Sequence, residues 1–122
     1  MRSTDRTLER RTKEEQRTLM ARLSLGKAAH LFLIRVGRGE DPWENHQVMA
    51  YGRPETLPED DAVLFSIYDP NHPENDDVAL KVTLSNDHVA CEQLVDGSVS
   101  EHEPVCGFFI SPYRRKRPPR SL

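Results

Sequence analysis

Two residues in this sequence have the types and settings needed for proton transfer. The first is His46, which opens the run Asn45-His46-Gln47-Val48-Met49-Ala50-Tyr51-Gly52. The second is Asp69, which closes an apolar run at the corner Ile67-Tyr68-Asp69-Pro70-Asn71. Both runs read as strands. If they pair as antiparallel neighbours, the start of the first lies beside the end of the second. His46 and Asp69 then meet at one sheet edge. A carboxylate there accepts the imidazole N–H, fixes the tautomer and stabilises the imidazolium, as a general base requires of its orienting partner. Pro70 stops the strand and holds Asp69 at the corner.

Other candidates are weaker. Asn71 could assist as a polar neighbour and Gln47 as an amide donor. Turn chemistry for Asn71 and an outward strand position for Gln47 are the commoner meanings. The acidic cluster Asp69, Glu74, Asp76 and Asp77 lacks the glycine and terminal Glu of an EF-hand, so it reads as a solvated loop. His46, His72, His88 and His102 have no HxH or HxxxH spacing, so no metal and no cofactor is expected. The two cysteines, Cys91 and Cys106, have no CxxC spacing and sit in apolar strand-like runs. They are expected to be buried free thiols behaving as small hydrophobes. A nucleophilic thiolate needs a positive field and access, and neither position offers them. Trp43 fits either a lid over the His46 edge or an anchor for its own loop.

The elements that must position these residues follow from periodicity. Residues 5–24 read as a helix, with Ser3, Thr4 or Asp5 as cap and Gly26 as stop. Its apolar positions are Leu8, Leu19, Met20 and Leu23, so only the second half has a face to bury. Residues 6–17 are charged all round and are expected to fray or to dock on something outside this chain. Strands are expected at 28–36 (buried on both sides), 46–51, 62–69, 78–84, 88–95 and 105–110. In the third of these Val63, Phe65, Ile67 and Asp69 share a face, and in the fourth Val78, Leu80, Val82 and Leu84 do. A Pro- and acid-rich loop is expected at 52–61, and Asp96-Gly97 signals a tight turn.

Short connections favour an antiparallel sheet. The expected fold is therefore α+β: an N-terminal helix packed on an antiparallel sheet of about six strands. The expected organisation is a charged helical arm at 1–17, the domain body at 18–112 and a basic mobile tail at 113–122.

A chain of 122 residues, 36% hydrophobic and 30% charged, supports one domain and one modest core. No apolar run approaches the roughly 20 residues that span a bilayer, so no membrane partner is expected. The N-terminus has no apolar stretch behind its basic residues, as a secretory signal would, and a cytoplasmic location is the default. The net charge of −3 divides into basic ends and an acidic centre, which argues against nucleic acid as partner of the body. Arg114-Arg115-Lys116-Arg117 has the look of a nuclear-import or phosphate-binding patch, although a solvated end is its commoner meaning.

The His46 and Asp69 segments together resemble the base and orienter strands of papain-like cysteine peptidases, especially the bacteriocin-processing type. There a strand of the form His-x-Val-φ-φ-x-Gly supplies the base, and the next strand ends in Asp-Pro. The helix ending in Leu25-Gly26-Lys27 and the apolar strand from Leu31 to Val36 are similar to the elements preceding the family's histidine. The corner Tyr68-Asp69-Pro70-Asn71-His72-Pro73 and the late Gly107-Phe108-Phe109 are similar to an uncharacterised bacterial subgroup. The likeness covers roughly residues 18–113.

This chain departs from the family's pattern at the nucleophile. The family's Cys opens a helix well before the His, whereas the first cysteine here is Cys91. The resemblance thus implies a truncated or degenerate papain-like half domain without independent catalysis. In an intact form a Cys thiolate would attack an acyl carbon, with His46 as base and Asp69 as orienter. A half domain would expose an apolar face, through which it would meet a missing lobe or self-associate. The rival expectation is a small β-rich protein-interaction module with no catalytic ancestry. In that case His46 and Asp69 are ordinary strand-end residues, and their separation discriminates the two.

Overall fold

The computed structural model describes residues 2–36, 43–85, 88–101 and 104–111. Helix α1 (Arg2–Ser24) is followed by β1 (Ala29–Val36), β2 (Trp43–Leu57), a 3-10 turn (Pro58–Asp60) and β3 (Ala62–Tyr68). Then come β4 (Val78–Ser85), β5 (His88–Val95), the two-residue β6 (Ser98–Val99) and β7 (Val105–Ile110). The helix stops where the sequence puts Gly26, whose φ of 78° few other residues tolerate. There the N–H of Lys27 bonds the carbonyl of Arg22, and that of Gly26 the carbonyl of Leu23, a Schellman ending.

Strands β1 to β5 pair antiparallel in chain order, and β7 returns to lie beside β1. A single bridge, Cys91 to Val105, joins β5 to β7 and completes the ring. The described residues are thus mostly β, a closed antiparallel barrel of six strands with one helix, and β6 extends β5 outside the ring. This corrects the expected α+β fold with a helix on an open sheet. Local alternation marks strands but not closure, which depends on β7 pairing with β1 far back in the chain.

Closure gives the barrel one inward face. Leu31 and Leu33 on β1, Phe65 and Ile67 on β3, Leu80 on β4 and Phe108 on β7 are all wholly buried in one cluster. A six-stranded barrel is narrow enough for side chains to fill it. Outward residues are more varied: Ile34 is buried, Phe32 half-buried, and Tyr51 and Tyr68 are exposed on the outer face of β2 and β3.

Strand β2 is longer than its apolar run. The expected 52–61 loop is strand as far as Leu57, with a register shift between Tyr51 and Glu55. Pro54 sits inside that irregularity, where its missing N–H interrupts no ladder.

The helix lies against β7, β2, β5 and β1. Its second half sends Leu19 and Leu23 into the barrel's buried cluster. Its first half, expected to be charged all round, has a buried stripe of its own: Leu8, Thr12 and Gln16. These lie four residues apart, so they share one helix face. That stripe covers the seam where β5 and β7 barely pair. The hydroxyl of Thr12 accepts the N–H of Phe108 at 3.3 Å, and Arg11 stacks 5.0 Å from the Phe109 ring centroid. Gly107 admits the helix: a Cβ there would stand 2.5 Å from Thr12 Oγ1. No helix among the described residues is long and apolar enough to cross a membrane.

Candidate functional site

One end of the barrel holds a polar cluster. It gathers the end of β1, the start of β2, the residue after β3 and the last turn of β5. Arg35 continues the inward parity of Leu31 and Leu33, and His46 that of Val48 and Ala50. Asp69 follows Phe65 and Ile67, and Gln93 follows Val89 and Cys91. Because inward-facing positions alternate strictly along a strand, all four side chains converge on the barrel axis.

Strands β2 and β3 pair antiparallel with Met49 opposite Tyr68, which brings the start of one beside the end of the other. His46 Nε2 lies 2.5 Å from Asp69 Oδ1. The Asp69 side chain is wholly buried and the His46 side chain 17% exposed. The Asp-Pro corner fixes the carboxylate locally. The Asn71 backbone N–H donates to Oδ1 at 2.9 Å, while the His72 N–H bonds the Asp69 carbonyl at 2.8 Å. Asn71 therefore contributes through its main chain, in an Asx-type turn.

The other carboxylate oxygen is held from across the barrel. Gln93 Nε2 donates to Asp69 Oδ2 at 2.6 Å, and Gln93 Oε1 accepts from Arg35 Nη2 at 2.7 Å. Arg35 Nη2 is also 3.7 Å from Oδ2. Strand β4 separates β3 from β5, and β7 separates β5 from β1, so these bonds bridge the barrel mouth rather than run along a strand pair.

Burial works to raise the pKa of Asp69. The Asn71 N–H, His46 and Gln93 outweigh it, and the carboxyl sits below its ordinary 3.8. It is an ionised carboxylate at neutral pH, with its charge spread over converging donors.

Gln93 and Arg35 are the members of this cluster that sequence reasoning missed. Both carried a signal, since each is a polar residue on the inward parity of an otherwise apolar strand. Gln47, by contrast, points outward and is exposed. The side chain of Trp43, the segment 37–42, His102 and Arg114 to Arg117 lie outside the described side chains.

The cysteines stand apart from the cluster's chemistry. Cys91 is buried on β5 and its thiol is pushed up to about 12, chiefly by burial. A thiol so protonated is no nucleophile at neutral pH. Cys106 is half-buried on β7.

Among the described residues, no three His, Cys, Asp or Glu side chains gather as a metal site. The acidic 69–77 loop is instead tied by its own polar groups. The Asp77 N–H donates to Asn75 Oδ1 at 2.8 Å, and Asn75 Nδ2 donates to Asp96 Oδ1 at 3.2 Å.

Compared with protein-family models, with curated proteins and with solved structures, the chain finds no match.

Proposed function

We propose that the barrel mouth is the base half of a papain-like cysteine-peptidase site, lacking independent catalysis in this chain. The observation that supports it is the 2.5 Å contact between His46 Nε2 and the buried, ionised Asp69. With Nε2–H donating to Asp69, the other ring nitrogen, Nδ1, is the acceptor. In this reading a thiol brought to the mouth gives its proton to Nδ1, and its sulfur attacks an acyl carbon. Asp69 stabilises the imidazolium until the proton passes to the leaving group. The thiol belongs to a separate segment or partner, because Cys91 is buried with its thiol pushed up to about 12. That partner is the natural occupant of the mouth.

The test supplies the missing thiol in trans. The full chain is mixed with a cysteine-bearing peptide and an activated acyl ester, and thioester formation is followed. The expected result is an acceleration that His46→Ala abolishes and Asp69→Ala weakens. Equal rates with and without His46 would overturn the reading. They would leave the cluster as the polar lock of a β-rich interaction module.

A further inference from the structure

We propose that Gln93 is the positioning residue of this site: oriented by Arg35, it forces a one-way chain of hydrogen bonds that keeps the His46 proton on Nε2 and leaves Nδ1 as the base. The base role of Nδ1 rests on the function proposed above. The direction of the chain does not.

The direction follows from donor and acceptor inventories. The oxygen and nitrogen of a glutamine amide are interchangeable in shape, so its orientation must be argued from its partners. A guanidinium has donors only. The Gln93 atom 2.7 Å from Arg35 Nη2 is therefore Oε1, and Nε2 is the atom 2.6 Å from Asp69 Oδ2. An amide nitrogen can only donate, so Oδ2 accepts from Gln93. Oδ1 already accepts the Asn71 N–H at 2.9 Å. These donors favour the ionised carboxylate, which can only accept, so the remaining contact at Oδ1 is a donor, namely His46 Nε2–H.

The charged groups facing the carboxylate support this. Strand β1 brings Arg35 and β2 brings His46, while β5 brings the neutral Gln93.

Burial makes the arrangement costly to lose. Gln93 is 1% exposed on a strand face whose other positions are apolar. A buried amide is tolerated only when its hydrogen bonds are made. Here both of its ends are used, one on Arg35 and one on Asp69.

The experiment reads the tautomer directly, from the imidazole ¹⁵N resonances of His46 in the labelled full chain in mildly alkaline buffer. The wild-type protein should show the proton on Nε2 alone. Gln93→Met keeps the volume and removes both polar ends. Gln93→Glu keeps the shape and the acceptor for Arg35 but replaces the fixed amide donor to Asp69 with a second carboxyl. Each should lower the tautomer preference at least tenfold, and a residue serving only to fill the mouth would not move it in either. Arg35→Lys, which retains a cationic donor for Oε1, should keep the wild-type tautomer, whereas Arg35→Met should lose part of it.

A wild-type proton on Nδ1, or an unchanged tautomer in the Gln93 variants, overturns the proposal. Should those variants fail to fold, Arg35→Met with an unchanged tautomer does the same. Failure of the thiol-acylation assay leaves this result standing, so the two readings fail separately.

Discussion

The hydroxyl of Thr12 accepts the backbone N–H of Phe108 at 3.3 Å, so helix α1 stands in for a strand along the side of β7 that β5 barely reaches. Replacing Thr12 by valine keeps the side-chain shape and removes the acceptor. The Phe108 N–H would then be buried without its partner, at a cost of about 1–3 kcal/mol. Urea unfolding of Thr12→Val should show a lower midpoint with an unchanged slope. An unchanged midpoint would mean that the seam does not need the helix.

Gly107→Ala tests the same seam from the strand side. The added Cβ would stand 2.5 Å from Thr12 Oγ1 and 2.8 Å from Leu8 Cγ, both on the helix face packed there. Overpacking of this kind typically costs about 1–3 kcal/mol because backbone or side chains must shift. The helix should loosen first, so amide exchange should quicken in residues 8–16 before it does in β2 and β3. Uniform exchange throughout would argue against that hierarchy.

Asp69→Asn should be more damaging than its small change of shape suggests. An asparagine there can still accept from His46 and from the Asn71 N–H, but its NH₂ would then face Gln93 Nε2, donor against donor. Arg35 opposes any flip of Gln93. The expected loss is about 3 kcal/mol or more, the scale for altering one partner of a buried charged pair. Adding Gln93→Glu should restore the chain with the charge moved. The new amide at position 69 would donate to the new carboxylate at position 93, which would also accept from Arg35. The double variant should therefore be more stable than the sum of the singles by about 0.5–3 kcal/mol. Strict additivity in a thermal or denaturant cycle would refute the directional account.

The strands were legible because each carries an alternating or continuous apolar pattern, and the His46–Asp69 approach was legible because adjacent strands with a short link pair antiparallel. Gly26 was legible as a stop because its conformation is local. Closure was not. Nothing in 105–110 announces that it pairs with 29–36 rather than ending an open sheet. The helix's buried stripe escaped because Thr12 and Gln16 are polar, and a hydrophobicity pattern counts only apolar residues. Gln93 and Arg35 escaped for the related reason that their partners come from strands not adjacent to their own. Such bonds exist only once the barrel has closed.

The depressed Asp69 carboxyl makes an acid-linked contribution to stability of definite sign. Its folded pKa lies below the ordinary 3.8, so between the two values the unfolded chain binds more protons than the native one. The contribution is fully present above the unfolded value and is lost as pH falls through the folded one. Unfolding free energies measured from neutral pH to about pH 3 should fall more steeply for the wild-type protein than for Asp69→Asn. Parallel curves would show that Asp69 is not among the linked groups.

Cys91 carries the opposite linkage at the alkaline end. Burial pushes its thiol from 9.0 up to about 12, so the native state keeps a proton that the unfolded chain releases between those values. Stability should therefore decline as pH rises above about 9, and Cys91→Ser or Cys91→Ala should flatten that decline. At neutral pH the same burial leaves almost no thiolate and no access. Iodoacetamide followed by peptide mass spectrometry should find Cys91 unmodified in the native protein and modified in denaturant. Native labelling at the denatured rate would place a reactive thiol beside the polar mouth after all, and would remove the reason for assigning the nucleophile to a separate segment.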